Sequence, residues 1–274
     1  MHHHSLRARI VEQLRGFLPP EEAEAESWRW LEEGLGLGRA WLLAHGEEVV
    51  PGESVSQVDH WLERRRAREP WAYILGWSLW RGRRFKVTRD TLIPRPETEL
   101  VLEAALEVGR RLGVSKATDV GTGSGILAIT LALETDWGVS ATDISRRALR
   151  VAEENAASHG ALVRFSLGDL LASAPDPVGL VVSNPPYVDP LEAPDLQPEL
   201  GLEPSLALFG GEGGLAVATE LLREAHVRSA PGIVMEIGAG QGPELEARAR
   251  ARGWRKTMIH KDFAGHHRVL VALA

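Results

Sequence analysis

The chain has 274 residues, 44% of them hydrophobic, with a formal net charge of −7 and a pI of about 5.8. This length supports one large core or two smaller ones, and the acidic balance excludes a protein that coats nucleic acid through general basic charge. Cysteine is absent, which excludes disulfides, thiolate metal sites and a cysteine nucleophile.

Met1, His2, His3 and His4 read as a shortened affinity tag or scar and are set aside from the fold; a native metal-binding start is the alternative. The first stretch carries charges throughout, so it is no secretory signal, and no apolar run of about 18 residues is present to span a membrane. Cytoplasm is the expected location. Leu6, Ile10, Leu14 and Leu18 recur every fourth residue and share one helical face. Pro19-Pro20 ends that helix, and Glu21-Glu22 suit the positive first turn of the next. Ser56 is a candidate cap for a helix through Val58, Trp61 and Leu62, with Arg64, Arg65 and Arg66 on its outer face. Seven of the nine tryptophans precede residue 81, a compositional shift that separates a small helical bundle, residues 1–75, from the rest. The segment 76–93 alternates apolar and polar residues about a glycine turn, so it reads as a linking β-hairpin. Its Arg81, Arg83, Arg84, Lys86 and Arg89 make it either a solvated ribbon or a docking patch for an acidic partner.

Residues 94–274 form the second domain. A helix opens near Pro96, with Glu97 and Glu99 in its first turn. Strand patterns at 117–120, 139–142, 163–167, 180–183, 233–237, 255–260 and 269–272 then alternate with helical patterns near 125–134, 146–158, 214–229 and 241–252. That alternation predicts an α/β fold with a doubly wound parallel sheet. The connection before the last strand is too short for a parallel crossover, so the last strand is expected antiparallel. No regular element is expected between 189 and 213, and a loop of that length is usually functional, here as a substrate cover.

The first strand of the sheet runs into "DVGTGSGILAI". Gly121, Gly123 and Gly125, with Thr122 and Ser124 between them, let backbone N–H groups approach a ligand and turn into a helix. Ile126 breaks the nicotinamide spacing, and a plain tight turn is the alternative. Asp143 at the end of the second strand suits ribose hydroxyls. Asp169 and Leu170 suit the amino edge and the face of adenine. Asp119 suits a cationic amino acid tail. A ligand with adenine, ribose and such a tail is S-adenosylmethionine, and no phosphate has to be neutralised. No metal is expected.

The fourth strand runs into "SNPPYVDP". Asn184 would project into the crevice beyond the strand ends, where ligands of such sheets lie. The side-chain oxygen of Asn184 and the carbonyl of Pro185 are two rigid acceptors for the two hydrogens of an NH₂ group. Gripping both aims the nitrogen lone pair at a sulfonium methyl. Pro186 and Tyr187 would complete the substrate grip, Tyr187 by stacking on the planar group. An ordinary strand-ending turn is the alternative. The nitrogen must be conjugated, because no His or Lys accompanies the loop to deprotonate a free amine.

"DVGTGSG" and "SNPPY", with "LIPRPETE" (92–99), "EPSLALFGG" (203–211) and "EPWAYILG" (69–76), resemble the bacterial peptide chain release factor glutamine methyltransferase family (HemK/PrmC type). The resemblance runs in order through nearly the whole chain. It implies a Rossmann-like methyltransferase sheet and transfer of a methyl group from S-adenosyl-L-methionine, leaving S-adenosyl-L-homocysteine. The acceptor it implies is the side-chain amide nitrogen of the glutamine in the Gly-Gly-Gln motif of class 1 release factors. Cofactor contacts carry over to Gly121–Gly125, Asp143, Leu170 and Asn184, and the substrate grip to Asn184, Pro185, Pro186 and Tyr187. Leu170 stands where some members carry Trp, so adenine packing is expected to be less aromatic.

The rivals are a ribosomal-protein glutamine methyltransferase and an exocyclic-amine nucleic-acid methyltransferase. The latter needs a basic groove, whereas residues 1–80 carry 9 Arg and no Lys against 13 Asp plus Glu. No nucleic acid or membrane partner is expected, and a monomer is.

Overall fold

The computed structural model describes residues 1–274. The chain divides into two compact units, Met1–Leu75 and Gly76–Ala274.

The first unit contains α1 (His3–Leu14), α2 (Pro20–Arg29), α3 (Arg39–His45), α4 (Gly52–Arg66) and α5 (Trp71–Leu75). A π turn, Trp30–Gly34, continues α2. Leu6, Ile10 and Leu14 are fully buried, as their spacing requires. Three tryptophans make the centre. Trp30 stacks on Trp71 with ring centroids 4.6 Å apart, and Trp61 meets each edge-on. Trp30 and Trp71 donate their indole N–H groups to Glu26 and Glu33, so the rings are buried without stranding a polar atom. Truncating Trp30 to alanine would cost about 3–5 kcal/mol by leaving a cavity.

Three details of the first unit depart from the sequence reading. His3 begins α1 and is buried with its ring edge-on to Trp41, so one of the four residues set aside as a tag is packed into the bundle. Helix α4 starts at Gly52 with Pro51 as its cap; Ser56 lies inside and donates its hydroxyl back to the Gly52 carbonyl. Arg65 is not an outer residue. It is buried and bonded at 2.7 Å to Glu26, because a residue three positions after Leu62 returns to the packed side.

The second unit opens with the hairpin β1 (Trp77–Trp80) and β2 (Arg83–Lys86), then α6 (Thr98–Leu112), β3 (Lys116–Val120), α7 (Ile126–Glu134), β4 (Gly138–Asp143), α8 (Arg146–His159), β5 (Val163–Leu167) and β6 (Leu180–Ser183). There follow a four-residue turn of helix α9 (Ser205–Leu208), α10 (Ala216–Val227), β7 (Gly232–Glu236), α11 (Gly242–Ala251), β8 (Lys256–Lys261) and β9 (His267–Leu273). The seven-stranded sheet has the order β5-β4-β3-β6-β7-β9-β8. β9 runs antiparallel between β7 and β8, and the other pairs are parallel. Successive residues serve opposite faces. Val234, Val269 and Val271 join the core under α6 and α7, while Ile233, Met235, Leu270 and Ala272 join the core under α10 and α11. No helix is long and apolar enough to cross a membrane.

The hairpin is built into this second unit, and its charges are largely engaged there. Arg81 pairs with Glu103 and Glu134, Arg83 approaches Glu134 and Lys86 pairs with Glu154, while Arg84 lies over the Trp77 ring. Trp80 enters the sheet's core and donates to Thr130. Helix α6 starts at Thr98 rather than Pro96, after a turn in which Glu99 N–H reaches the Pro96 carbonyl. Between 189 and 213 the chain is not irregular. It forms three 3₁₀ turns and α9, and Pro190, Pro198 and Pro204 stand at or just before the starts of three of these four turns.

Candidate active site

Val120 and Ser183 are register partners at the carboxyl ends of β3 and β6. The glycine loop and the Asn-Pro-Pro-Tyr loop therefore leave the sheet side by side. The strand order turns here, β4 and β5 lying to one side and β6 and β7 to the other, which is where doubly wound sheets bind ligands. A crevice of about 260 Å³ lies between the loops. Its lining includes Asp119, Gly121, Thr122, Gly123, Ser124, Asp143, Asp169, Leu170, Asn184, Pro185 and Pro186. These are all the site residues expected from sequence except Gly125 and Tyr187.

Gly125 turns the loop into α7 with φ of 86°; a Cβ there would meet Ile129 Cδ1 at 2.8 Å. Asp143 braces the loop. One carboxylate oxygen accepts from Gly123 N–H at 2.9 Å and the other from Ser145 N–H at 2.8 Å. Burial raises its pKa, and each oxygen keeps a further lone pair for a ligand. Leu170 holds a φ of 43°, and its carbonyl accepts from Thr142 Oγ1.

Asp119 is a buried acid at the foot of the glycine loop. Its Oδ2 accepts from Thr122 Oγ1 at 2.6 Å and from Ala128 N–H at 3.2 Å, while the buried Oδ1 has no partner. Burial pushes its pKa up to about 7 against those two hydrogen bonds, and Asp143 adds to the rise. A cation delivered to the crevice would satisfy that orphaned oxygen. The glycine turn, the acid on β4 and this unpartnered carboxylate fit a nucleoside that carries a positive tail.

Asn184 donates from Nδ2 to Thr98 Oγ1 at 3.1 Å, and its Oδ1 accepts no hydrogen bond from the chain. Thr98 donates to Glu236 Oε2 at 2.7 Å, and the Tyr187 hydroxyl donates to Glu236 Oε1 at 3.1 Å. Thr98 and Glu236 are buried, and burial raises the Glu236 pKa. Burial, then the neighbouring Glu236 carboxylate, pushes the Tyr187 phenol up. Tyr187 thus lies outside the crevice lining and is held by its hydroxyl.

Several positioning residues escaped the sequence reading. Asn155 on α8 accepts from Lys86 N–H and donates to the Lys86 and Ser124 carbonyls, tying the hairpin to the glycine loop. Glu203 is buried and accepts from Ile93 N–H at 2.9 Å and from Arg95, drawing together two walls of the crevice, Leu92–Pro94 and Pro204–Phe209. Gly210 and Gly214 press against the Asn-Pro-Pro-Tyr loop, where a Cβ would meet Pro186 O at 2.4 Å and Tyr187 O at 2.0 Å respectively. The motif "EPSLALFGG" contains Gly210 without saying which backbone it approaches, and Gly214 lies three residues beyond the motif.

The family model for the PrmC N-terminal domain matches residues 6–76, and that for the methyltransferase small domain matches residues 98–200. A release factor glutamine methyltransferase of Deinococcus radiodurans is 40% identical over 262 residues, covering 94% of this chain and 93% of the relative. One of Cereibacter sphaeroides is 38% identical over 277 residues, covering 96% and 98%. Among solved structures, the hMettl16 catalytic domain in complex with the MAT2A 3′UTR hairpin 6 matches with a TM-score of 0.57 at 17% identity, covering 69% of this chain and 74% of that one. That likeness speaks for the sheet alone.

Proposed function

The chain belongs to the release factor glutamine methyltransferase family, and on that premise we propose how its crevice methylates the glutamine amide of a class 1 release factor. The methyl donor is of the S-adenosylmethionine type; we take it to be S-adenosyl-L-methionine itself, with S-adenosyl-L-homocysteine as product. The observation that carries the reading is that Asn184 and Pro185, which offer an amide oxygen and a carbonyl as acceptors, line one crevice with the braced glycine loop.

Asp143 would hold the ribose hydroxyls, Asp169 and Leu170 the adenine, and Asp119 Oδ1 the ammonium tail. The donor so held would supply an electrophilic methyl carbon. Asn184 and Pro185 accept the two N–H groups of the substrate amide. This orients the nitrogen lone pair and offsets the positive charge that grows on nitrogen during the displacement. An amide nitrogen is a weak nucleophile, so orientation and exclusion of water carry much of the rate. No base is required before transfer, because the nitrogen becomes strongly acidic once methylated and then gives its proton to solvent water. Pro186 and Tyr187 shape the substrate side, and the Tyr187 hydroxyl bond to Glu236 keeps that ring from swinging.

The test uses isotopically labelled donor with a class 1 release factor, ribosomal proteins and DNA. Mass spectrometry then locates the modified atom. We expect methylation of the Gly-Gly-Gln glutamine side chain alone; label only on ribosomal protein or on DNA would overturn the substrate assignment.

A further inference from the structure

Glu236 lies at the end of β7 and Thr98 begins α6, so two separate elements meet behind the Asn-Pro-Pro-Tyr loop. A side-chain amide is nearly symmetrical in shape but opposite in polarity at its two ends. Only one of its two orientations presents an acceptor to the crevice. Nothing in Asn184 itself selects that orientation.

The surrounding bonds do. Glu236 accepts twice, from Thr98 at Oε2 and from Tyr187 at Oε1. A hydroxyl has a single hydrogen. With that hydrogen committed to the carboxylate, Thr98 Oγ1 is left as an acceptor toward Asn184. It can then take only the NH₂ end of the amide, which turns Oδ1 outward. The chain of bonds has one direction: carboxylate, hydroxyl, NH₂, and an outward carbonyl.

We propose that Thr98 and Glu236 are positioning residues for methyl transfer, a polar relay that fixes the Asn184 amide with its oxygen toward the substrate nitrogen. This rests on the reading of Asn184 above. Burial and, less strongly, Glu97 raise the Glu236 pKa, while the Thr98 and Tyr187 hydrogen bonds and Arg268 favour its ionised form, and the relay runs in this direction while Glu236 is ionised. If Glu236 were replaced by a group able to donate, Thr98 could donate to Asn184 instead. The amide would turn over and offer an NH₂ where an acceptor is needed.

Thr98→Val keeps the shape and removes the hydroxyl; Thr98→Ser restores it. Glu236→Gln keeps the shape and supplies a donor. Steady-state kinetics on a release factor, with donor-analogue binding by calorimetry, should give a fall in kcat of about tenfold or more for Thr98→Val and Glu236→Gln. Donor-analogue affinity should stay within about twofold, and Thr98→Ser should recover most of kcat. Thr98→Val combined with Asn184→Ala should be no slower than Asn184→Ala alone, as for residues acting as one unit. Unchanged kcat in Thr98→Val, or losses that multiply in the double variant, would overturn the relay. If Thr98→Val does not fold, Glu236→Gln paired with Asn184→Ala makes the same test. A neutron structure of the free protein separates this from the substrate reading: deuterium on Asn184 pointing into the crevice sinks the relay, whatever substrate is methylated.

Discussion

Asp119→Asn should make the protein more stable while weakening its grip on the methyl donor. The Asp119 carboxyl ordinarily ionises at 3.8 and is pushed up to about 7 by burial. That rise corresponds to about 4 kcal/mol of preference for the neutral acid in the folded chain. Below pH 3.8 both the folded and unfolded forms are protonated, and the folded state bears no penalty. Between 3.8 and about 7 only the unfolded chain ionises, so stability falls as pH rises, and above about 7 the full penalty stands. The wild-type penalty is therefore about 2 kcal/mol at about pH 5.5 and about 4 kcal/mol at about pH 8. Asparagine has no charge to bury, and its carbonyl can still accept from Thr122 and Ala128. Denaturant unfolding at the two pH values should thus show the variant's advantage growing by about 2 kcal/mol toward the higher pH. Calorimetry with S-adenosyl-L-homocysteine should show wild-type affinity rising through about pH 7 as Asp119 ionises, and a weaker, flatter profile for the variant. A stability difference independent of pH would refute a buried acid that stays neutral until about pH 7.

Three further outcomes follow from the same geometry. Asn184→Ala should lower kcat by about 10²–10³-fold with a modest change in donor affinity, the loss expected when one oriented polar contact to the transition state is removed; a near-normal kcat counts against the two-acceptor grip. Asp143→Ala should raise the donor dissociation constant by about tenfold or more, since it removes both the ribose contact and the brace on Gly123; calorimetry showing no change would remove Asp143 from the nucleoside site. Glu203→Ala should destabilise the second unit by about 2 kcal/mol by stranding Ile93 N–H and Arg95, read as an earlier urea midpoint; an unchanged midpoint counts against that tie between the crevice walls.

Local chemistry was legible in the residues. Leu6, Ile10 and Leu14 announced a buried helical face, and the β strands of the sheet were readable from short apolar runs between turn signals. The glycine loop and Asn-Pro-Pro-Tyr are contiguous, so each carried its own shape and donor set. The turns between 189 and 213 were less visible, because 3₁₀ turns of three to six residues have too little periodicity to stand out from loop. Arg65 was misread as an outer residue because an arginine run suggests a solvated face, whereas Glu26 waits for it 39 residues away.

What the sequence determined by itself was therefore the alternation of strands and helices, and the glycine and Asn-Pro-Pro-Tyr loops that come to line one crevice. These depend on spacing along the chain and on the chemistry of neighbouring residues. Only the tertiary structure decided that β9 inserts between β7 and β8, that Asn155 bridges the hairpin to the glycine loop, and that Thr98, Glu236 and Tyr187 meet behind Asn184. Each of those joins residues distant in the chain. Their partnership is set by how the packed layers close, because a buried polar group must find a partner wherever the fold brings one.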